Sequence, residues 1–272
     1  MTYKTILVHA QTSAEPRLAT AAALARQHGA RLIGVGAEMI QPLAFADPFG
    51  FAQGEWLGLM REQLDKDLDT AAAAFERHAS GLDHEWRRIV DMPTQTLARC
   101  ARSADIIVAG GAPLEGRNSS SSANIGELVV TAGRPILVAP PAGGELRGEQ
   151  VLVAWKDTRE ARRAVADALP LLQRAEEVMV LSLVAEDLVE AAEFQTGDVV
   201  AWLKRHGVTA RAKVVAGFDD DAYGEIQLQA MSAHADLIVA GGYGRTRFTE
   251  WVLGGVTEFL LADPQRFVFL SH

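Results

Sequence analysis

The residues best suited to bind a ligand are glycines in the second half of the chain. Gly241, Gly242 and Gly244 follow an apolar run, and Gly254 and Gly255 come after nine intervening residues. Glycine lets backbone N–H groups approach an anion closely, and the start of a helix adds partial positive charge. A triphosphate is the ligand that suits a loop of this kind, so the spacing predicts a phosphate site.

Other reactive residue types are sparse or poorly spaced. The seven histidines show no metal-ligand spacing, and no Gly-x-Ser-x-Gly motif marks a serine nucleophile. The single cysteine, Cys100, lies in an apolar helical pattern and is interpreted as a core residue. Asp219, Asp220 and Asp221 precede a predicted helix, where acidic residues usually act as caps. We therefore predict no catalytic centre, no metal site and no disulfide.

The composition excludes several kinds of partner. The chain has 272 residues, of which 49% are apolar and 22% charged, and its net charge is −9. This length suffices for two packed domains. The acidic balance disfavours nucleic acid, and Arg245 with Arg247 is the one basic pair of interest. We find no signal peptide and no membrane-spanning apolar run, so we expect a cytoplasmic protein without membrane or nucleic-acid partners.

The chain repeats itself. Residues Ala104–Gly111 match Ala235–Gly242 at an offset of 131, and Ile6–Val8 match Val151–Val153 at an offset of 145. The difference of 14 residues equals the length of Gln41–Gly54, which has no counterpart in the second half. A shared order of segments indicates that one domain was duplicated.

Each half alternates short apolar strands with helices. In the first half we predict strands at Thr5–His9, Arg31–Val35, His84–Val90, Asp105–Ala109 and Pro135–Ala139, and helices at Pro16–His28, Glu55–His78 and Thr94–Ser103. In the second half we predict strands at Gln150–Ala154, Glu177–Val184, Ala210–Val215, Asp236–Ala240 and Arg266–Leu270, and helices at Arg159–Arg174, Asp198–His206 and Tyr223–Ala233. This alternation predicts two tandem, doubly wound α/β domains with mostly parallel sheets, whose ligands bind at the carboxyl ends of the strands.

The domain boundary is predicted at Pro140–Glu149, which is rich in proline and glycine. The first domain then covers residues 1–140, with residues 41–54 as an insertion, and the second covers residues 150–272. The insertion contains several large apolar side chains among proline and glycine. It is interpreted as a loop packed on its own domain, or else as a lid or interface over a lipophilic pocket.

Two stretches of the second half closely resemble the universal stress protein family. The first is Asp236–Gly244, continued by Trp251–Thr257, and the second is Val151–Trp155, followed by Arg159–Ala164. The resemblance covers nearly the whole chain as two tandem domains and is more specific in the second half. It implies a five-stranded parallel sheet in each domain, a role in stress response, ATP binding in some members, and association through the last strand.

The resemblance also implies a phosphate loop. ATP-binding members carry Gly-x-x-Gly, nine residues, and then Gly with Ser or Thr, which would place the loop at Gly241, Gly244 and Gly254. Gly255 stands in place of the hydroxyl residue, and Lys156 stands where binders usually carry an aspartate. One lost hydrogen bond costs about 0.5–1.5 kcal/mol, so these departures should weaken or redirect binding and need not abolish it. The alternative interpretation is that these glycines are turn geometry inherited from the family, with no ligand.

The second domain is thus predicted to bind the nucleotide, and the expected nucleotide is ATP. Magnesium is expected only as an ion bound to that nucleotide. The predicted contact residues are Gly241, Gly244, Arg245, Gly254, Gly255, Val256, Trp155, Asp157, Leu183 and Ala240. In the first half Pro113 and Glu127 disrupt the motif around Gly116 and Gly126. The serines at 119–122 predict a mobile polar loop there, so we expect no nucleotide in that half.

The sequence predicts a binding module rather than an enzyme. No general base can be identified around residues 241–256, although slow ATP hydrolysis stays open. A nucleotide would stabilise one loop conformation that a protein partner senses. The first alternative is a stress module that acts through protein contacts or a lipophilic ligand. The second is a nucleotidyl transferase of the wider adenine-nucleotide α-hydrolase-like superfamily, whose signature loops are absent. The chain is expected to be a pseudo-dimeric monomer or a homodimer.

Overall fold

The computed structural model describes residues 2–40, 51–110, 120–217, 221–243, 260–261 and 265–272. The strands of the first half are β1 (Thr5–Ala10), β2 (Arg31–Glu38), β3 (His84–Val90), β4 (Ile106–Gly110) and β5 (Ile136–Ala139). The strands of the second half are β6 (Gln150–Ala154), β7 (Glu177–Val184), β8 (Ala210–Ala216), β9 (Leu237–Gly241) and β10 (Phe267–Ser271).

These strands form one continuous sheet in the order β3-β2-β1-β4-β5-β10-β9-β6-β7-β8. Within each half all pairs are parallel, whereas β5 and β10 pair antiparallel, with Val138 opposite Val268. The strand order of the second half is therefore that of the first half read in reverse. The final strands of the two halves therefore pair with each other within one chain.

Helices cover both faces of the sheet. They are α1 (Glu15–His28), α2 (Phe51–Ala79), α3 (Pro93–Cys100), α4 (Ile125–Thr131), α5 (Arg159–Asp167), α6 (Leu169–Leu172), α7 (Val189–Arg205) and α8 (Ala222–Ser232). One apolar layer unites the sheet with α1, α2 and α5–α7, and the other unites it with α3, α4 and α8. Both layers contain residues of both halves, so each apolar core continues across the junction.

Local sequence signals explain several helix ends. Gly29 ends α1 in the left-handed conformation at φ 59°, as predicted from its position. Thr158 and Asp221 accept hydrogen bonds from the first turns of α5 and α8, so the capping interpretation of Asp221 is confirmed. The predicted helix at 159–174 is instead two helices, because Pro170 cannot continue the hydrogen-bond pattern of α5.

Other predictions need correction in detail. Helix α4 was not predicted, and α7 begins at Val189 rather than Asp198. Residues 51–54 form the first turn of α2, so they are not part of a loop. The rest of the predicted insertion, residues 41–50, lies outside the described residues. Ser120 is buried, at 5% exposed, and its carbonyl oxygen accepts a hydrogen bond from Met39, so the prediction of a mobile polar loop is wrong for this residue.

Candidate functional site

The candidate site lies at the carboxyl ends of β6 and β9, where the direction of winding reverses. Strand β6 lies between β9 and β7, and Ala154 is in register with Ala240. Trp155 follows β6, and its backbone N–H donates to the Leu181 carbonyl oxygen of β7 at 2.7 Å. Open parallel sheets bind ligands at a point of this kind. Of the predicted residues, the structure thus places Trp155, Leu183, Ala240 and Gly241 at one sheet edge.

Trp155 carries a polar group that the described residues do not satisfy. Its side chain is buried, at 7% exposed, and packs in the apolar layer that includes α5. Its indole Nε1–H has no hydrogen-bond partner among the described residues. Leaving a buried donor unpaired costs about 1–3 kcal/mol. The end of β6 therefore offers a hydrogen-bond donor to an acceptor from elsewhere.

Asp157, in the loop after β6, forms an ion pair with Arg162 of helix α5. Its Oδ1 atom accepts hydrogen bonds from Arg162 Nε at 3.0 Å and from Arg162 Nη2 at 2.8 Å. Both side chains are largely exposed, so the ion pair positions the arginine more than it stabilises the fold. Lys156, also exposed, precedes this pair. The edge of the site therefore carries cationic groups beside a carboxylate that is already bonded.

Gly241 lies directly beneath the first turn of α5. A Cβ atom at this position would come within 2.6 Å of the Ala161 nitrogen and 2.8 Å of the Glu160 carbonyl carbon. Backbone atoms at that range cannot yield as a flexible side chain can. The absence of a side chain at Gly241 is therefore required for packing between strand and helix, whether or not an anion binds.

Glu160 is held as an anion in this turn. Burial acts to raise the pKa of Glu160, but hydrogen bonds with its own backbone and with Thr158, together with the nearby Arg159 charge, lower it overall. Arg159 forms an ion pair with it at 3.0 Å and also approaches His272 Nε2 at 3.5 Å. The Arg159 charge is thus partly neutralised at the strand end.

The beginning of the glycine loop contacts the first half of the molecule. The Gly242 N–H donates to the Ser271 carbonyl oxygen at 2.8 Å, and a Cβ atom on Gly242 would come within 2.5 Å of Val129 Cγ1 in α4. Tyr243 has a left-handed backbone at φ 50°, and its hydroxyl lies against Gly126 of α4. Sequence reasoning missed this contact, because no local pattern reveals which helix of the other half lies nearby.

The remaining predicted residues lie outside the described part of the chain. They are Gly244, Arg245, Gly254, Gly255 and Val256. Their assignment to a phosphate loop stays a prediction.

The corresponding cleft of the first half is filled by its own side chains. At the repeat offset of 145, Arg17 corresponds to Arg162 and Thr12 corresponds to Asp157. The Arg17 guanidinium lies against Gly110, the counterpart of Gly241. Asp157 holds Arg162 at the surface through an ion pair, whereas Thr12 has no charge and cannot hold Arg17 in this way. The space left beside Arg17 is about 10 Å³, which is room for one water molecule.

His9 lines the same small space. It is 2% exposed, and its Nε2 atom has no hydrogen-bond partner among the described residues. Burial lowers the pKa of His9 to about 3, with a further lowering by the Arg17 charge and an opposing effect of a hydrogen bond with the Ala37 backbone. The imidazole is therefore neutral at physiological pH.

Metal-binding clusters and membrane-spanning helices are both absent from the described residues. No group of three or more histidine, cysteine, aspartate or glutamate side chains there could hold a metal ion. No helix among those residues combines the length and apolar character needed to cross a bilayer.

Comparisons with known proteins give the fold. No family model and no curated protein matches the chain. A universal stress protein from Archaeoglobus fulgidus superposes with a TM-score of 0.70 at 15% identity, covering 98% of this chain and 95% of its own. A functionally unknown protein from Pseudomonas aeruginosa does so with a TM-score of 0.57 at 15% identity, covering 99% and 92%. The chain therefore has the universal stress protein fold over its whole length.

Shorter proteins align with part of the chain. One is a universal stress protein in complex with cAMP, which has 22% identity and a TM-score of 0.33 and covers 52% of this chain and 99% of its own. The nucleotide is a property of that protein.

Proposed function

We propose that this chain is a tandem universal stress protein, a stress-response module whose second half binds an adenine nucleotide. The fold shared with the Archaeoglobus fulgidus protein along both chains supports the first part. The buried, unpaired indole N–H of Trp155 at the switch point supports the second, because a nucleotide supplies acceptors on its base, ribose and phosphates.

The two halves differ in a way that favours the second. In the first half Arg17 lies against Gly110 and leaves space for only one water molecule. In the second half Asp157 binds the corresponding Arg162 in the surface loop. Arg162 is largely exposed, so it does not occupy the strand end as Arg17 does, and we propose that a ligand occupies it instead. We therefore assign no nucleotide to the first half.

The ligand we propose is ATP, with magnesium held by its phosphates. Trp155 would donate to the nucleotide, with Leu183, Ala240 and Gly241 forming the floor of the site. The backbone N–H groups of Gly244, Gly254, Gly255 and Val256, with the Arg245 charge, would bind the phosphates, as the glycine spacing suggests. When bound, the nucleotide would supply negative charge that stabilises one conformation of the loop.

The proposed activity is binding without turnover. The described site offers no unpaired carboxylate, since Asp157 bonds to Arg162 and Glu160 to Arg159. We propose that a protein partner reads the nucleotide-ordered loop, that the protein is cytoplasmic, and that it works as a pseudo-dimeric monomer or a homodimer. With a net charge of −9, nucleic acid is not proposed as a partner.

A thermal-unfolding titration with magnesium and ATP tests this function. Nucleotide at about a hundred times its Kd should stabilise the folded chain by about 2.7 kcal/mol and raise the Tm saturably. Trp155→Phe keeps an aromatic ring but removes the N–H, so it should weaken binding roughly three- to tenfold. Trp202→Phe is the matched control, because Trp202 is half-buried in α7 and packs on His206.

A Tm that does not respond to ATP would contradict nucleotide binding. Equal weakening by Trp155→Phe and Trp202→Phe would contradict the assigned site. The second candidate is then a stress module that acts through protein contacts. It is favoured by Phe194 and Leu188, which expose 72% and 51% of their surface at one end of the second half, near the start of α7. This second candidate would be supported if Phe194→Ser abolished binding to a protein partner while ATP left the Tm unchanged.

A further inference from the structure

A cavity of about 180 Å³ lies in the first half of the molecule, at the carboxyl end of β2 and beside the first turns of α2. The nucleotide proposal does not use it. An engineered cavity of about 150 Å³ admits benzene, so this one has room for a molecule of similar or slightly larger size. Its walls include Glu38, Trp56, Met60, Leu64, Asp67 and Ser120.

Helix α2 builds one wall of the cavity. Trp56, Met60, Leu64 and Asp67 follow one another at spacings of three or four residues, which places them on a single helix face. This wall therefore presents three apolar side chains, followed by the carboxylate of Asp67. The Gln63 amide donates to Asp67 Oδ1 at 3.0 Å and holds that carboxylate in place.

Strand β2 and the segment that begins at Ser120 build the opposite wall. Glu38 ends β2, and the next residue, Met39, donates its backbone N–H to the Ser120 carbonyl oxygen at 2.9 Å. Ser120 is buried, at 5% exposed. A buried polar wall thus faces the helix.

The cavity has two carboxylates and, among its described lining residues, no cation. Burial raises the pKa of Glu38, and the Asp67 carboxylate raises it further. Two basic side chains of this region have carboxylate partners outside the cavity lining: Lys66 bonds to Glu62 at 2.6 Å, and Arg88 bonds to Asp65 and Asp69 of α2. A positive ligand would relieve the repulsion between Glu38 and Asp67.

We propose that this cavity binds a small quaternary ammonium ion of about the size of choline. Its charge would be offset by Glu38 and Asp67, and its methyl groups would pack on Trp56, Met60 and Leu64. A quaternary ammonium group donates no hydrogen bond, which matches the apolar side chains of Trp56, Met60 and Leu64 on the wall formed by α2. Tryptophan attracts such cations through its ring, and methionine adapts to their shape.

The test is a titration of the full chain with choline chloride, followed by the indole N–H resonances in ¹H–¹⁵N spectra at constant ionic strength. The resonance that is lost in Trp56→Leu should shift saturably with choline. The neutral isostere 3,3-dimethylbutan-1-ol has the same shape without the charge and should bind at least about tenfold more weakly. Glu38→Gln should weaken choline roughly two- to thirtyfold and leave the alcohol unchanged.

Glu62→Gln is the matched control, because Glu62 is an exposed carboxylate on the same helix that does not line the cavity. It should leave choline binding unchanged. Asp67→Asn replaces Glu38→Gln if that variant fails to fold. The proposal is overturned if choline causes no saturable shift, if the alcohol binds equally well, or if Glu62→Gln weakens choline as much as Glu38→Gln does. None of these outcomes depends on ATP.

Discussion

Two arginines at equivalent positions of the repeat set the chemistry of the two clefts. Arg17 lies against Gly110, whereas Arg162 bonds to Asp157 in a surface loop. The difference follows from one residue, because Thr12 stands where the second half has Asp157. Duplicated halves can thus diverge in function through the neighbours of a shared residue, even when that residue itself is kept.

His9 gives a prediction about pH. Its pKa is about 3 in the folded chain and 6.5 in the reference state, so between these values the unfolded chain binds a proton that the folded chain excludes. The free energy of unfolding should therefore fall as the pH falls below 6.5, by about 1.4 kcal/mol per pH unit. Between about pH 7 and about pH 5, the free energy of unfolding should fall by ~2 kcal/mol more in the wild type than in His9→Gln, as measured by urea denaturation.

His84 provides a control of opposite sign. A hydrogen bond with the Leu82 carbonyl oxygen, and a second with Glu76, raise the pKa of His84. Its contribution to stability is present below the unfolded pKa and is lost as the pH rises through the raised folded value. His84→Gln should therefore reduce stability only on the acid side. Parallel pH profiles for wild type and His9→Gln would contradict the buried neutral imidazole.

Some residue roles could be predicted from sequence and others could not. The cap at Gly29 and the buried Cys100 follow from local patterns, and the structure confirms both. The contact of Tyr243 with Gly126 joins residues from different halves, and the cavity beside Trp56 depends on how α2 lies over β2. No local pattern encodes such contacts, because they arise from packing between distant segments.

At the scale of elements, strands were the most predictable part of the fold. The bounds of β3, β6 and β7 match the predicted ones. For β6 and β7 the reason is that parallel strands buried on both faces appear as short apolar runs, whereas β3 is partly exposed. Helix α4 was missed, although Asn124 and Glu127 carry a usual start signal, with the Asn124 side chain accepting from the Glu127 N–H. Its seven residues are too few to show helical periodicity.

The contact between β9 and α5 gives the second prediction. Gly241→Ala would place a Cβ atom 2.6 Å from the Ala161 nitrogen, so strand and helix must separate. We expect a loss of about 1–3 kcal/mol in the free energy of unfolding, measured by urea denaturation. The loss should appear without any nucleotide, since its cause is packing.

Gly197→Ala is the matched control for that substitution. Gly197 is an exposed position inside α7, and a Cβ atom there would meet no atom within 4 Å. The same chemical change should therefore stabilise the chain by about 0.5–1 kcal/mol. If both variants shift stability in the same direction, close approach of α5 is not the reason for glycine at position 241.

At the scale of the whole molecule, the repeat forms a single sheet. The predicted domains, residues 1–140 and 150–272, remain a useful division of the sequence, but their cores are continuous. The β5–β10 ladder crosses the junction, and the Tyr3 hydroxyl donates to the Asp167 carbonyl oxygen at 2.8 Å. The sequence could predict two copies of one fold. It could not predict that their final strands pair within one chain, because that depends on the linker path.

The linker between the two halves, Pro140–Glu149, is hydrogen-bonded to both of them, and this leads to the last prediction. Thr20 Oγ1 donates to the Gly144 carbonyl oxygen at 2.7 Å, and the Gly148 N–H donates to Asp236 Oδ2 at 2.7 Å. A protease site inserted between Gly144 and Glu145, both exposed, should be cut without loss of fold. Because the sheet and both cores cross the junction, the two fragments should co-elute on gel filtration at the volume of the uncut chain. They should separate only in denaturant, and separation in native buffer would mean that the halves are independent domains joined merely by the linker.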